Sequence, residues 1–207
     1  QSAVQSACDA GGGVVRLQAG LYEVGNNTLP GANNIESLAI RCSNVRITGE
    51  GLSTVLQATG DGLGGDWNLI QIRPPPTGRE VVRNIEIDNL LLSGSGAWNT
   101  EEQTHLIQIG AGPVENVSMH HLWFYQPVRQ KVGLAASTSE KGGDCIRLMG
   151  APGKAVRYVH ISDSQFLDCD RSSISFQREV YDTIIDSNMF MAVGDQHIDQ
   201  EPTGVGA

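Results

Sequence analysis

Two carboxylates, Asp199 and Glu201, stand two positions apart in the run His197-Ile198-Asp199-Gln200-Glu201. In an extended chain they share one face, about 6.6 Å apart. That lies within the separation of about 6.5–9.5 Å at which one carboxyl protonates a glycosidic oxygen while the other activates water. A third acid, Asp144, stands just before Cys145-Ile146-Arg147-Leu148. Arg147, Arg171, Arg178 and His197 are interspersed with these acids, as is Gln177. A guanidinium can hold a sugar carboxylate or sulfate through paired hydrogen bonds, and Arg171 can equally pair with Asp170 or Asp199. Trp98, in the segment 94–104, offers a flat ring for stacking on a sugar. The candidate acid–base residues are therefore Asp144, Asp199 and Glu201. The candidate substrate contacts are Arg147, Gln177, Arg178, His197 and Trp98. Asp168, Asp170 and Asp195 read first as turn residues, because a short acidic side chain hydrogen-bonds its own turn.

These residues act together only if the chain brings distant segments into register. One short pattern returns five times: Asn44-Val45-Arg46-Ile47, Asn84-Ile85-Glu86-Ile87, Asn116-Val117-Ser118-Met119, Tyr158-Val159-His160-Ile161 and Asp182-Thr183-Ile184-Ile185. In the last four, a bulky apolar residue follows five positions on: Leu92, Phe124, Phe166 and Phe190. A second pattern is interleaved: Leu69-Ile70-Gln71-Ile72, Leu106-Ile107-Gln108-Ile109, Cys145-Ile146-Arg147-Leu148, Ser173-Ile174-Ser175-Phe176 and His197-Ile198-Asp199-Gln200. From Ile70 the second pattern advances by 37, 39, 28 and 24 residues. A step of 24 is a bare coil, and the longer steps are that coil with insertions. Two alternating segments per turn predict strands, and a coil that cannot bury its own apolar edge must stack on its neighbours. Alternation sends Ile70, Ile107, Ile146, Ile174, Phe176 and Ile198 inward and Gln71, Gln108, Arg147, Ser175 and Asp199 outward. Hairpin signals such as Asn-Gly are absent between the segments, which argues against an antiparallel sandwich. Carboxylates one coil apart would suit a retaining pair at about 5–5.5 Å.

The formal charge of −9 and pI near 4.9 exclude a nucleic-acid binder of ordinary kind, because phosphate contacts need clustered Lys and Arg. No run of apolar residues is long enough for a membrane-spanning helix. Cys8, Cys42, Cys145 and Cys169 fit no zinc spacing, and no metal ligands are assigned. Cys145 and Cys169 lie one bare coil apart but at different offsets within it, so two buried thiols are expected and the redox compartment stays open. His120, His121 and His160 read as a solvated polar face.

The start of the chain has its own logic. Ala3, Val4, Ala7 and Cys8 have helical spacing, and Gly11-Gly12-Gly13 ends the helix. Such a helix would cover the first edge of a coil, as a solenoid requires. The run from Ala3 to Tyr22, including Gly11-Gly12-Gly13-Val14-Val15-Arg16-Leu17 and Ala19-Gly20-Leu21-Tyr22, resembles the start of pectin-lyase-like right-handed parallel β-helix proteins. That superfamily includes polysaccharide lyases, glycoside hydrolases, epimerases and the tailspike depolymerases of bacteriophages. The repeats carry the resemblance along nearly the whole chain. It implies an all-β fold, a right-handed parallel β-helix of about six coils, with carbohydrate along one outer groove. Residues 1–12 are expected as an N-terminal capping helix and 13–207 as the β-helix, a piece of a longer chain.

Gly143-Asp144-Cys145-Ile146 is similar to the Asp-Asp-Cys-Ile segment of polygalacturonases. However, Gly143 replaces the first aspartate, and Ser172-Ser173 stands where that family has Gly-His-Gly. Only Asp144 carries over, so that mechanism is not adopted. The resemblance leaves a glycoside hydrolase or polysaccharide lyase, and beside them a glycan-binding spike or fibre without catalysis. A lyase would use Arg147 or Lys141 to neutralise a uronate. It would also admit Ca2+, for which the acidic turns offer oxygen ligands although no spacing matches a calcium loop. The expected partner is a polysaccharide. The resemblance admits a homotrimer and an extracellular, cell-surface or virion-associated setting.

Overall fold

The computed structural model describes residues 1–25, 34–63, 66–75, 80–94, 97–99, 104–127, 143–193 and 196–201. One helix, α1 (Ser2–Asp9), precedes the strands β1 (Gly13–Arg16), β2 (Gly20–Val24), β3 (Asn34–Ile40), β4 (Val45–Ala58), β5 (Gly60–Leu63) and β6 (Asp66–Ile72). There follow β7 (Val82–Ser93), β8 (Ala97–Asn99), β9 (Thr104–Gly110), β10 (Val114–Tyr125), β11 (Ile146–Met149) and β12 (Val156–Ser162). The last are β13 (Gln165–Cys169), β14 (Ser172–Gln177), β15 (Val180–Asp186), β16 (Met189–Val193) and β17 (Gln196–Glu201).

The repeated tetrads lie near the starts of β4, β7, β10, β12 and β15, which follow one another across a parallel sheet that begins with β1 and also takes in β2, β13 and β16. The second pattern forms β6, β9, β11, β14 and β17, which continue from β3 as a second parallel sheet. From β3 onward the chain passes back and forth between these two sheets, with β12 and β13, and likewise β15 and β16, falling in the first, and β5 pairing with β8 in a small third sheet. Among the described residues consecutive strands do not pair with each other. Winding of this kind is expected of a β-helix. The register stacks like on like: Ile70 beside Ile107, Ile107 beside Ile146, Ile146 beside Ile174, and Ile174 beside Ile198.

Each tetrad begins with a residue of positive φ: Asn44 at 63°, Asn84 at 59°, Asn116 at 58°, Tyr158 at 55° and Asp182 at 54°. Asn tolerates this left-handed geometry better than most residues. Here the asparagines also join hands: the Asn84 amide donates to Asn44 (2.8 Å) and the Asn116 amide to Asn84 (2.7 Å). Five residues on, Asn89, His121, Asp163 and Ser187 have positive φ too. These corners bend each long strand, so that apolar residues on both sides of the bend, such as Ile87 and Leu90, face the same core. Inside, Phe124, Phe166 and Phe190 stack ring on ring at 4.6 and 4.9 Å.

Helix α1 places Val4 in the core, and the Gln1 amide bonds both the N–H and the carbonyl of Ala39 on β3, the end strand of its sheet. Cys8 forms a disulfide with Cys42, and Cys145 one with Cys169. The expectation of free buried thiols is therefore corrected. Cys169 ends β13 and Cys145 leads into β11, so the two meet across a corner rather than along a strand. Two burial expectations also change. Ile198 is 48 % exposed because no described strand covers the far side of β17. Gln71, Gln108, Arg147 and Ser175, expected to meet solvent, are all buried; alternation assigns a side of the strand, not its access to water. Among the described residues no helix is long and apolar enough to cross a membrane.

Candidate functional site

The register that stacks Ile107 on Ile146 also sets His105 beside Asp144, each two residues ahead of its isoleucine. Next to them, Arg147 pairs with Ser175, and Ser175 with Asp199. A bend between Asp144 and β11 turns the aspartate toward this column, where its carboxylate accepts a bond from the Ser175 hydroxyl (2.6 Å). Arg171 closes on the same carboxylate with both Nε (2.8 Å) and an Nη (2.6 Å). The sequence had offered Asp170 or Asp199 as partners of Arg171; the bidentate partner is Asp144.

His105 links this pair to Arg147. An Arg147 Nη lies 3.1 Å from His105 Nε2. A guanidinium only donates, so Nε2 must accept, and the neutral ring carries its proton on Nδ1. That nitrogen lies 3.4 Å from Asp144 Oδ2. The Asp144 N–H also lies 3.2 Å from Nδ1, but the tautomer required by Arg147 leaves Nδ1 no lone pair to receive it. Arg147 donates its second Nη to the Gln177 side-chain oxygen at 2.8 Å.

The electrostatics follow from burial. Asp144 and His105 are 0 % and 1 % exposed. Burial pushes the Asp144 carboxyl up, but Arg171, His105 and Ser175 outweigh it and keep the carboxylate below its usual range. Burial takes the His105 imidazole down to about 3; Asp144 opposes this, while Arg147 and Arg171 add to it. The cluster thus holds a lasting carboxylate between fixed donors, with a neutral imidazole relaying position to Arg147.

Of the residues singled out from sequence, Asp144, Arg147 and Gln177 come together here. Asp199 is half-buried one rung beyond Ser175. Glu201 is in register with Gln177, although its side chain lies outside the described residues. Arg178, exposed and at φ 62°, follows directly on β14. His197 is exposed, its ring 5.4 Å from Phe190. The side chain of Trp98 on β8, and the whole of Lys141 and Asp195, lie outside the described residues. Asp168 is an exposed corner residue at φ 55°. Gly143 explains the departure from the polygalacturonase pattern: a Cβ there would collide with the Thr104 carbonyl, leaving no room for an aspartate. His105 and Ser175 were not chosen from sequence, and Arg171 was named there without its partner Asp144. Aligning the isoleucines of successive rungs would have found His105.

No family model matches the chain, and no curated protein matches it. Among solved structures, it is similar to the A-module of the mannuronan C-5 epimerase AlgE4 of Azotobacter vinelandii. The identity is 13 %, with 99 % of this chain and 94 % of that one covered and a TM-score of 0.28. It is also similar to ORF18 of Geobacillus virus E2, at 12 % identity over 92 % of this chain and 54 % of that one, with a TM-score of 0.26. Likenesses this slight carry no argument about activity.

Proposed function

We propose that this chain is a right-handed parallel β-helix of about six coils that binds a polysaccharide across the last rungs of the sheet ending in β17, and cleaves it by acid–base chemistry. Asp199 and Glu201 are the acid–base pair. Two positions apart on one strand, about 6.6 Å, they leave room for a water between carboxyl and sugar. Asp144, bound on both oxygens and out of solvent, is a positioning residue: it anchors Arg171 and, through His105, Arg147. Gln177, Arg178, His197 and Trp98 are the remaining sugar contacts.

The observation that carries this reading is the in-register column Arg147–Ser175–Asp199 beside Gln177–Glu201. It sets polar groups on consecutive rungs next to a network already fixed in place, and preorganised donors are what lower a barrier without further cost. The paired cysteines suit an oxidising compartment and with it an extracellular, cell-surface or virion-associated setting. A homotrimer and, for a lyase, Ca2+ belong to the same reading.

The test is a panel of neutral and uronate polysaccharides, followed by reducing-end release and by the ultraviolet absorbance of unsaturated products. Hydrolysis raises the first alone, and elimination raises both. Asp199→Asn and Glu201→Gln should each lower the rate by about 10²–10⁴-fold, the usual share of a positioned acid or base. Undiminished cleavage by both variants defeats the assignment. Saturable binding without cleavage by the wild type selects a glycan-binding shaft instead.

A further inference from the structure

The other sheet carries a cluster that this chemistry does not use. His120 and His121 are neighbours near the middle of β10, and in a regular strand they would point to opposite faces. His121 has φ 53°, and the bend brings the two rings together. Their Nδ1 atoms approach to 2.9 Å, with ring planes at 86°. On its far side His120 Nε2 meets Glu86 Oε1 at 3.1 Å.

The proton positions follow from what each group can do. The Glu86 carboxylate only accepts, so His120 Nε2 carries its proton and the Nδ1 of the neutral ring is bare. His121 must then donate its own Nδ1 proton across the gap. We propose that this gap is a site for a divalent transition ion such as Zn2+ or Cu2+, with His120 Nδ1 and His121 Nδ1 as ligands. Binding moves the His121 proton from Nδ1 to Nε2 of this exposed ring, so no proton need be lost from it. Two Zn–N bonds of about 2.0–2.1 Å in tetrahedral geometry separate the nitrogens by about 3.3 Å, and a small opening of the present contact supplies that.

Glu86 then takes the role that carboxylates commonly take behind a metal-bound imidazole: it fixes the tautomer and strengthens the ligand. Imidazole nitrogen selects transition ions over calcium or magnesium. The alternative grouping of Glu86, Asp88 and His120 around an ion is already filled by a cation. Arg46 binds Asp88 at 2.8 and 3.2 Å and reaches Glu86 at 3.4 Å, and Thr48 and Asn89 take further bonds to Asp88.

The test is titration of the disulfide-intact chain with Zn2+ against a chromophoric chelator, and with Cu2+ under electron paramagnetic resonance. One ion per chain should bind, with hyperfine coupling from two nitrogens. His121→Asn suits the corner, since Asn89 occupies the same corner one rung earlier at φ 55°; it should remove the second nitrogen and the tight binding. Glu86→Gln, which leaves both ligands in place, should weaken binding by about 10–100-fold. His160→Gln, at the separate His160–Asp186 pair, should change neither ion count nor affinity. Absence of a bound ion in the wild type overturns the proposal. So does undiminished binding in both His121→Asn and Glu86→Gln.

Discussion

A histidine with no access to water is an expensive residue to protonate, and His105 makes that cost measurable. Its ring is held near 3 in the folded chain against 6.5 ordinarily. Between those values the unfolded chain binds a proton that the folded chain does not. Folding stability should therefore fall as pH drops through that window, by about 1.4 kcal/mol per pH unit from this group, and level off below it. Asp144 adds a loss at the acid end, because a carboxylate held below its usual range loses its stabilisation as pH falls through the folded value. Denaturant unfolding at stepped pH checks this, and His105→Gln should flatten the slope between about pH 6.5 and 3. Asp144 was visible in the sequence because it precedes a recognisable strand. That Arg171 is its partner was not, because the contact depends on a bend that no spacing announces. The burial of Arg147 and Gln108 was hidden for a similar reason: alternation says which side of a sheet a residue takes, not whether that side meets water.

At the scale of strands, the sequence was most readable where geometry and side chain agree. Each tetrad opens with a residue of positive φ, and three of the five are asparagine. The amide chain runs from Asn44 through Asn84 to Asn116 and stops at Tyr158, which is 56 % exposed and bulky for its left-handed backbone. Tyr158→Asn should extend the chain by one bond and stabilise the fold by about 0.5–1.5 kcal/mol, little burial being lost. Thermal melting would show it; a lower melting temperature would mean that Tyr158 contributes packing the exposure does not suggest. Corners were harder to foresee. His121, Asp163 and Ser187 share no residue type, and only the register between strands shows that they occupy one position.

For the molecule as a whole, stability accumulates from rung-on-rung contacts, and the two disulfides tie rungs that would otherwise fray separately. Closing loops with sequence separations of 34 and 24 residues should contribute about 2–4 kcal/mol each. Reduction under native conditions should therefore lower the denaturant midpoint, and Cys145→Ser with Cys169→Ser should reproduce part of that loss in the oxidised protein. Unchanged midpoints would mean that the stacked core alone fixes both segments. The winding itself was legible because a spacing of 24 residues recurs with the same apolar pattern. The pairing of the cysteines was not, since their offsets within the coil differ.

Near-identical rungs carry a hazard. If β11 slid forward to lie on β17, Ile146 would still find an isoleucine, Ile198, and the greasy interior would scarcely register the error. Asp144 would register it: in the slipped arrangement its neighbour is Gln196 rather than the segment bearing Arg171 and Ser175, and a carboxylate would be stranded out of water. The salt link at Asp144 therefore works as a key that fits one lock, telling apart threadings that hydrophobic contact cannot.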